Sequence, residues 1–304
     1  MFDVAPALTC GDRTLKLDRP AVMGIVNVTP DSFSDGGDFV AAEHAIEHGI
    51  QLIAQGATIL DIGGESTRPG ADIVSVEEEL ARVMPVLTAL RSYVDQSAPQ
   101  VILSIDTYKP EVMRAAAQAG AGMINDVRAL LEPGALDAAA ATNCAVVMMH
   151  HKGEFKTMQE DPYYDDVTAE VHRFLTERVF AAELAGIDRH RLVIDPGFGF
   201  GKNTQHNMEL LARMERLQSI KVSVLAGLSR KRTLGEITGR TEAKERIHAS
   251  VAAHLIAVRK GARIVRVHDV AATVDALAVL AAVEPLQVMD RTADSRPTLE
   301  WPDD

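Results

Sequence analysis

Short apolar segments alternate along the chain with longer segments rich in Ala, Glu, Leu and Arg. The first apolar segment, Ala21–Val28, is rich in β-branched residues, which is typical of a strand buried on both faces. Seven similar segments follow, and eight strand-then-helix units within 304 residues predict a (β/α)8 TIM barrel. A doubly wound parallel sheet is the alternative. The later strand segments are Thr58–Gly63, Val101–Thr107, Met123–Val127, Ala145–His150, Leu192–Pro196, Val222–Leu228 and Ile264–Val270.

The segments between these strands have helical composition. The predicted helices are Ala42–Gln55, Val76–Tyr93, Glu111–Ala119, Gly134–Ala141, Val167–Ala185, Asn207–Leu217, Glu242–Lys260 and Val270–Val283. Before the barrel, Leu8–Leu17 carries Gly11-Asp12 at its middle and predicts a small β-hairpin. We therefore expect one domain over residues 1–287, with the hairpin at about 8–17 and the barrel from 21, followed by a polar tail at 288–304.

Charge and composition argue against several classes of partner. The chain has 31 basic and 43 acidic residues and no basic stripe, so we expect neither nucleic acid nor an anionic membrane as a partner. Its two cysteines, Cys10 and Cys144, are far apart, which favours a reduced cytoplasmic setting over a disulfide framework. The first ten residues do not resemble a signal peptide, and no apolar run reaches the ~18 residues of a spanning helix.

Polar residues stand at the ends of almost all the predicted strands. In a (β/α)8 barrel the carboxyl ends of the strands, here called the mouth of the barrel, hold the catalytic groups. A barrel without a site would show polar residues at only a few of these ends, so the pattern predicts an active site. The strand ends are Asn27, Gly63–Gly70, Asp106, Asn125, Met149–Lys152, Asp195–Lys202, Ser229–Lys231 and Arg266–Asp269.

Four of these residues form a set of hydrogen-bond donors and acceptors: Asp106, Asn125, Asp195 and Lys231. Two carboxylates, an amide and an ammonium could outline a flat heterocycle that carries both N–H donors and ring acceptors. The alternative is that Asp106 and Asp195 cap the following helices or pair with Lys231.

A second group could bind an anion. Arg266, His268 and Ser229-Arg230 follow the last two strands, where barrels of this type often hold phosphate. Asn27 and Arg68 could reach the same anion. For Arg266 the alternative is a surface ion pair.

Seven long motifs occur in the order GIVNVTPDSFSDGG, DIGGESTRPGA, SIDTYKPEV, INDVRAL, DPGFGFGK, LSRK and RVHDV. On these motifs the chain resembles the dihydropteroate synthase family of bacterial folate synthesis, from about Ala21 to Val270. The resemblance implies a transferase that joins 7,8-dihydropterin-6-ylmethyl diphosphate to p-aminobenzoate, with Mg²⁺, and releases pyrophosphate. It also implies a homodimer, inhibition by sulfonamides, and a dissociative substitution without a protein nucleophile.

The resemblance also implies roles for individual residues, some of them in loops Asn27–Gly37 and Gly64–Gly70 that would close over the site. The pterin-binding residues would be Asp106, Asn125, Val127, Met149, Asp195, Phe200, Lys231 and Arg266. The diphosphate would be held by Asn27, Arg68, Arg266 and His268. The p-aminobenzoate pocket would comprise Thr67, Arg68, Pro69, Phe200, Ser229 and Lys231. The catalytic residues would be Asp106, Lys231, Arg266 and Asn27, with Asn27 also the metal ligand.

One segment departs from the family pattern. Many members have Met-His-Met-Gln-Gly after the fifth strand, whereas this chain has Met149-His150-His151-Lys152-Gly153. We hypothesise that Lys152 adds positive charge at the mouth. Two alternative functions share the barrel: a pterin-dependent methyltransferase, and a catalytically silent relative that only binds or scaffolds.

Overall fold

Eight parallel strands form a closed barrel in the computed structural model, which describes residues 7–28, 37–66, 73–154 and 157–293. For 37–40 and 284–293 only the backbone is described. The barrel strands are β3 (Ala21–Asn27), β4 (Ile59–Gly63), β5 (Ile102–Asp106), β6 (Met123–Asp126), β7 (Ala145–Met149), β8 (Leu192–Asp195), β9 (Ser223–Ala226) and β10 (Ile264–Val267). They follow chain order around the barrel, and β10 pairs with β3 to close it. The (β/α)8 prediction is confirmed, and the doubly wound sheet is wrong.

The helices cover the outside of the barrel. Their bounds are α1 (Gly37–Ala54), α2 (Val76–Ser97), α3 (Pro110–Gln118), α4 (Ala135–Ala140), α5 (Val167–Leu184), α6 (Thr204–Ala212), α7 (Arg232–Thr238), α8 (Ile247–Arg259) and α9 (Val270–Ala293). Short 3-10 turns lie at Arg189–Arg191, Met214–Ile220 and Ala243–Arg246.

Several helix ends differ from the predicted ones, and one helix was not predicted. The seven-residue helix α7 was missed, because two turns are too short to show a helical period in the sequence. Helix α9 continues to Ala293 and so includes the first residues of the predicted polar tail. No Gly or Pro interrupts the chain between Gln287 and Ala293, and nothing there stops the helix. The remainder of the predicted tail, 294–304, lies outside the described residues.

The predicted hairpin closes the amino end of the barrel. Strands β1 (Ala7–Cys10) and β2 (Arg13–Lys16) pair antiparallel around Gly11. The buried side chains of Leu8 and Leu15 join one apolar cluster with Ile59, Ile102 and other inward-facing strand residues. The hairpin therefore forms the floor of the barrel, opposite the mouth.

The polarity of the barrel interior changes from floor to mouth. Alternate residues of a strand face the same side, so Ile59 and Asp61 of β4 both point inward, as do Ile102 and Ser104 of β5. The inward residues nearer the floor are apolar and join the hairpin, whereas those nearer the mouth are polar. The outward residues pack against the helices in the larger core cluster. In the part of the chain that the structure describes, no helix is both long and apolar enough to span a bilayer.

Candidate active site

Strand register brings the predicted residues of the first four barrel strands to one level. Asn27 pairs with Gly63, Gly63 with Asp106, and Asp106 with Asn125. Further round the barrel, Met149 is level with Asp195. These side chains thus share the mouth, as expected from the ends of parallel strands.

Arg266 links two carboxylates across the mouth. Its Nε donates to Asp61 Oδ2 and its Nη2 donates to Asp106 Oδ2, both at 2.6 Å. The surface ion pair considered as the alternative for Arg266 is wrong, because Asp61 has no exposed surface. Only two of the guanidinium N–H groups are used in these contacts, so others remain for a ligand.

Asp61 is the central acceptor of this network, and sequence reasoning missed it. Besides Arg266, its carboxylate accepts from Ser104 Oγ at 2.6 Å and from Asn125 Nδ2 at 2.9 Å. Our prediction considered only strand ends, whereas Asp61 lies two residues before the end of β4. The available signal was a carboxylate inside an apolar strand, at the same inward parity as Ile59.

Burial shifts the pKa values of the ionisable groups at the mouth. It raises the pKa of Asp106 to about 7, against the opposing effect of Arg266. It also raises the pKa of Asp195, whose Oδ1 accepts from the Gly197 N–H at 2.7 Å. Burial lowers the pKa of Lys231 to about 8, although Asp195 opposes the change. Charges held this far from water interact strongly with a charged ligand.

An apolar wall adjoins the polar network. Val127, Met149 and Phe200, predicted to lie together, do pack in one buried cluster. The same cluster includes Met158, with Tyr108 packed against it, and neither residue was predicted. Met158 comes from the long β7–α5 connection, whose irregular sequence gives no periodic signal.

Lys231 and Phe200 meet at the mouth. The Nζ of Lys231 lies 4.2 Å from the centroid of the Phe200 ring, a cation–π contact. Lys231 is the residue immediately before α7, so the start of that helix fixes its backbone. The two follow adjacent strands of the barrel, Phe200 after β8 and Lys231 after β9.

The predicted anion residues after β9 and β10 are partly engaged with each other. The hydroxyl of Ser229 accepts from the His268 N–H at 3.1 Å and lies 3.0 Å from His268 Nδ1. Arg230 forms a two-point ion pair with Asp269, at 2.6 and 3.0 Å. Arg230, included in our anion hypothesis, therefore has its charge matched by Asp269.

Lys152, hypothesised to add positive charge at the mouth, forms an ion pair in the structure. Its ammonium donates to Glu170 Oε2 at 2.8 Å and to the Tyr163 carbonyl at 2.7 Å. It also lies 4.2 Å from the centroid of the Tyr164 ring. Glu170, on the first turn of α5, pairs with this ammonium and so argues against the hypothesis, which the Lys152→Ala variant tests.

A buried ion-pair network stands beside the β4–α2 connection. Lys109 Nζ donates to Glu65 Oε2 at 2.5 Å and also to Glu79. Glu65 further accepts from Tyr108 Oη at 3.1 Å and from the Val74 N–H at 3.2 Å. The predicted site residues Thr67, Arg68 and Pro69 belong to this connection but lie outside the described residues, as do 29–36 of the first predicted loop.

The capacity of the site for a metal ion depends on oxygen donors. Over residues 7–28, 37–66, 73–154 and 157–293, no three His, Cys, Asp or Glu side chains are grouped so that they could hold a metal. Asn27, at the exposed end of β3, offers an amide oxygen. Mg²⁺ accepts such ligands together with water and substrate phosphates. Asn27 can therefore supply one oxygen ligand to such a metal.

Comparison with known proteins gives concordant matches. A family model described as pterin binding enzyme matches residues 23–268. The dihydropteroate synthase of Escherichia coli strain K12 is 51% identical over 269 residues, which cover 88% of this chain and 93% of that protein. The structure of Xanthomonas albilineans dihydropteroate synthase with 4-aminobenzoic acid is 62% identical, with TM-score 0.85, covering 92% of this chain and 98% of that one. A complex of the X. albilineans enzyme with 7,8-dihydropteroate is 56% identical, with TM-score 0.81, covering 92% and 99%.

Proposed function

The chain belongs to the dihydropteroate synthase family of pterin-binding enzymes, and from this premise we propose the reaction that it catalyses. It joins 7,8-dihydropterin-6-ylmethyl diphosphate to p-aminobenzoate and forms 7,8-dihydropteroate and pyrophosphate. The relatives with bound 4-aminobenzoic acid and 7,8-dihydropteroate support this choice of substrate and product. Both substrates are small molecules, and no nucleic acid or membrane takes part.

The observation that carries the proposal is the network in which Arg266 joins Asp61 and Asp106. Asp61 also accepts a hydrogen bond from the Nδ2 of Asn125. This bond orients the amide, whose Oδ1 can then accept a hydrogen bond from a ligand. Together with Asp195, these groups offer a heterocycle several acceptors and donors in fixed positions. A site of this kind discriminates against analogues that lack the matching groups, since its own polar atoms would then be unpaired.

The reaction begins with loss of the diphosphate. The carbon–oxygen bond breaks, and its electron pair leaves with the diphosphate. We assign the stabilisation of that negative charge to Arg266, His268, Asn27 and Arg68, of which Arg68 lies outside the described residues. Arg266 can serve because it has N–H groups beyond those that Asp61 and Asp106 accept.

The remaining carbon is a cation conjugated to the dihydropterin ring. Asp106, held by Arg266, stabilises this charge in its ionised form, while Val127, Met149 and Phe200 line the ring. Arg266 can also lay its planar guanidinium on the ring. The aromatic amine then forms the new carbon–nitrogen bond with its lone pair and releases a proton. No side chain needs to attack the substrate.

We assign p-aminobenzoate to the side of the mouth formed by Phe200, Ser229 and Lys231. The ammonium of Lys231 suits the carboxylate, and the Phe200 ring beneath it suits the aromatic ring. Thr67, Arg68 and Pro69 complete this pocket in our proposal and lie outside the described residues. This placement holds the amine of p-aminobenzoate close to the pterin cation, and that proximity favours formation of the carbon–nitrogen bond.

We further propose that Mg²⁺ binds with the diphosphate. Asn27 would hold it through the amide oxygen, with diphosphate oxygens and water completing its ligands. When bound, Mg²⁺ neutralises charge on the leaving group. The residues of this chain orient the diphosphate through Arg266 and His268.

The test below distinguishes the synthase from two other functions. A pterin-dependent methyltransferase would bind a pterin but would have no use for Ser66–Pro69 after β4 or for Ser229–Lys231 after β9. A silent relative would be expected to lack part of the charged set, whereas Asp106, Lys231 and Arg266 are all present and partly buried at the mouth. The synthase uses all of these groups.

A homodimer is the assembly that we propose. Helices α8 and α9 expose the apolar side chains of Ile256, Val279 and Val283. Packing against a second copy would remove this surface from water. Light scattering on the purified protein tests it, and a mass of one chain would contradict it.

The test of the reaction is pyrophosphate release from the pterin diphosphate, with and without p-aminobenzoate and Mg²⁺. We expect release to require both, and 7,8-dihydropteroate to form in equal amount. Binding of the pterin diphosphate without turnover would support the silent relative. A lack of binding would contradict every function that uses a pterin.

A further inference from the structure

Lys202, the last residue of the DPGFGFGK segment, is buried at 2% exposure beneath the mouth. Its Nζ lies 2.9 Å from His150 Nδ1, 2.9 Å from the Gly197 carbonyl and 3.1 Å from the Phe200 carbonyl. An ammonium has three N–H donors, so these three acceptors satisfy it completely. Burial lowers the pKa of Lys202 to about 7, and the nearby carboxylate of Asp195 opposes this shift.

The segment turns closely around this ammonium. Gly197, Gly199 and Gly201 have φ values of +67°, +77° and +65°, a region that favours glycine. A Cβ on Gly197 would lie 1.8 Å from the His150 carbonyl, and one on Gly201 would lie 2.2 Å from the Lys152 carbonyl. The backbone therefore packs directly against the end of β7, and its carbonyls can turn inward to Lys202.

Each carbonyl that Lys202 holds belongs to a residue that supports one half of the site. Gly197 accepts from Lys202 through its carbonyl and donates its N–H to Asp195 Oδ1. Phe200 accepts from Lys202 through its carbonyl and presents its ring to Lys231. One ammonium thus connects the carboxylate assigned to the pterin with the cation–π pair assigned to p-aminobenzoate.

We propose, on the premise of the synthase reaction above, that Lys202 is a positioning residue. It fixes the distance and orientation of the Phe200 ring relative to the Asp195 carboxylate. It touches no substrate and acts through the backbone of the segment. The amine and the carbon that it attacks are on separate substrates, one assigned to each of these two residues. A shift of Phe200 relative to Asp195 would therefore move the amine away from that carbon. Displacements of about 1 Å can cost ~100-fold in rate.

The test compares Lys202→Met with a matched control at the other end of β8. Methionine fills similar space but donates no hydrogen bond. The control is Arg191→Met, because Arg191 is also a buried cation that donates to backbone carbonyls, those of Cys144 and Ala139, away from the mouth. We expect kcat/KM for both substrates to fall ~10- to 100-fold in Lys202→Met and less than ~3-fold in Arg191→Met, at comparable losses of thermal stability.

A double-mutant cycle separates positioning from general destabilisation. If Lys202 acts on p-aminobenzoate through Phe200, then Phe200→Leu and Lys202→Met together should raise the KM for p-aminobenzoate no further than Phe200→Leu alone. Fully additive effects, or equal losses of activity in Lys202→Met and Arg191→Met, would overturn the proposal.

A second variant covers failure of Lys202→Met to fold. Lys202→Gln retains two N–H donors, so a folded Lys202→Gln enzyme should keep an intermediate kcat/KM, and wild-type kinetics in it would overturn the proposal. Turnover by the unmodified enzyme is measured in the same series. Its absence would contradict the proposed function, whereas normal wild-type turnover with an unaffected variant contradicts only the role of Lys202.

Discussion

Arg266 Nε lies 2.6 Å from the Oδ2 of Asp61, a residue 205 positions away in the sequence. The ion pair joins β10 to β4 inside the barrel, over the strand β3 that lies between them. Because Asp61 also accepts from Ser104 and Asn125, one buried carboxylate orients an amide and a guanidinium that face the proposed pterin.

Substitution of Asp61 by alanine tests this relationship. It leaves Arg266 without one of its two buried counter-charges, and the free energy of unfolding should fall by about 3–5 kcal/mol. Urea unfolding measures the loss. Affinity for the pterin diphosphate should fall with it, because Asn125 loses the acceptor that orients its amide. As a control, Asp12→Ala removes an exposed carboxylate that pairs with Arg91 and Arg13, and it should change stability by less than about 1 kcal/mol. Equal effects of the two substitutions would show that Asp61 orients nothing.

The pKa of Lys231 gives a prediction for the pH dependence of kcat/KM. Burial lowers this pKa to about 8, so the ammonium is present below about pH 8 and is lost as the pH rises through that value. Affinity for the p-aminobenzoate carboxylate should fall over the same range. In Lys231→Arg the charge persists to much higher pH, so the basic limb should disappear even if the rate is lower. If the basic limb of the pH profile is unchanged in Lys231→Arg, it belongs to the titration of another group.

Replacement of Lys231 by alanine should lower both the affinity for the pterin and the rate of turnover. The substitution removes a buried cation that faces Asp195 and Phe200. We expect pterin affinity to fall and kcat/KM to decrease by ~100-fold or more, as when a charged group is removed from a site that excludes water. Calorimetry and steady-state kinetics measure the two effects. An enzyme with full activity would count against the pocket described here.

Sulfonamides, which resemble p-aminobenzoate, should inhibit in competition with it. The proposed pocket places the aromatic ring against Phe200 and the acidic group near Lys231, and both ligands need the same contacts. Inhibition at several p-aminobenzoate concentrations should raise the apparent KM and leave kcat unchanged. Non-competitive inhibition would mean that the pocket is elsewhere. Phe200→Leu should weaken the binding of both ligands.

Lys152→Ala should leave the kinetics of the pterin diphosphate unchanged within about twofold. The Lys152 ammonium is matched by Glu170 and is 44% exposed, so its removal alters the potential at the mouth little. The stability should change by less than about 1 kcal/mol, since the pair is partly in water. A large rise in the KM for the pterin diphosphate would restore the hypothesis that Lys152 attracts the anion.

The sequence by itself determined the order of elements and most of the strand ends. An apolar strand buried on both faces leaves a continuous signal, and a polar residue that ends it is visible without knowledge of its partners. Asn27, Asp106, Asn125 and Asp195 were located in this way, and register then brought them to one end of the barrel. The hairpin was also visible from its central Gly11-Asp12.

Only the tertiary structure decided which charges meet. Lys152 looks like free charge in the sequence, but Glu170 lies against it once α5 packs beside the β7 strand end. The partners of Asp61 and Lys202 cannot be read from the sequence. Asp61 meets Arg266 because both side chains point inward and the barrel closes. Lys202 meets His150 because the glycine-rich segment turns back toward β7. Polarity along one strand is local information, whereas the pairing of buried charges depends on contacts between distant strands.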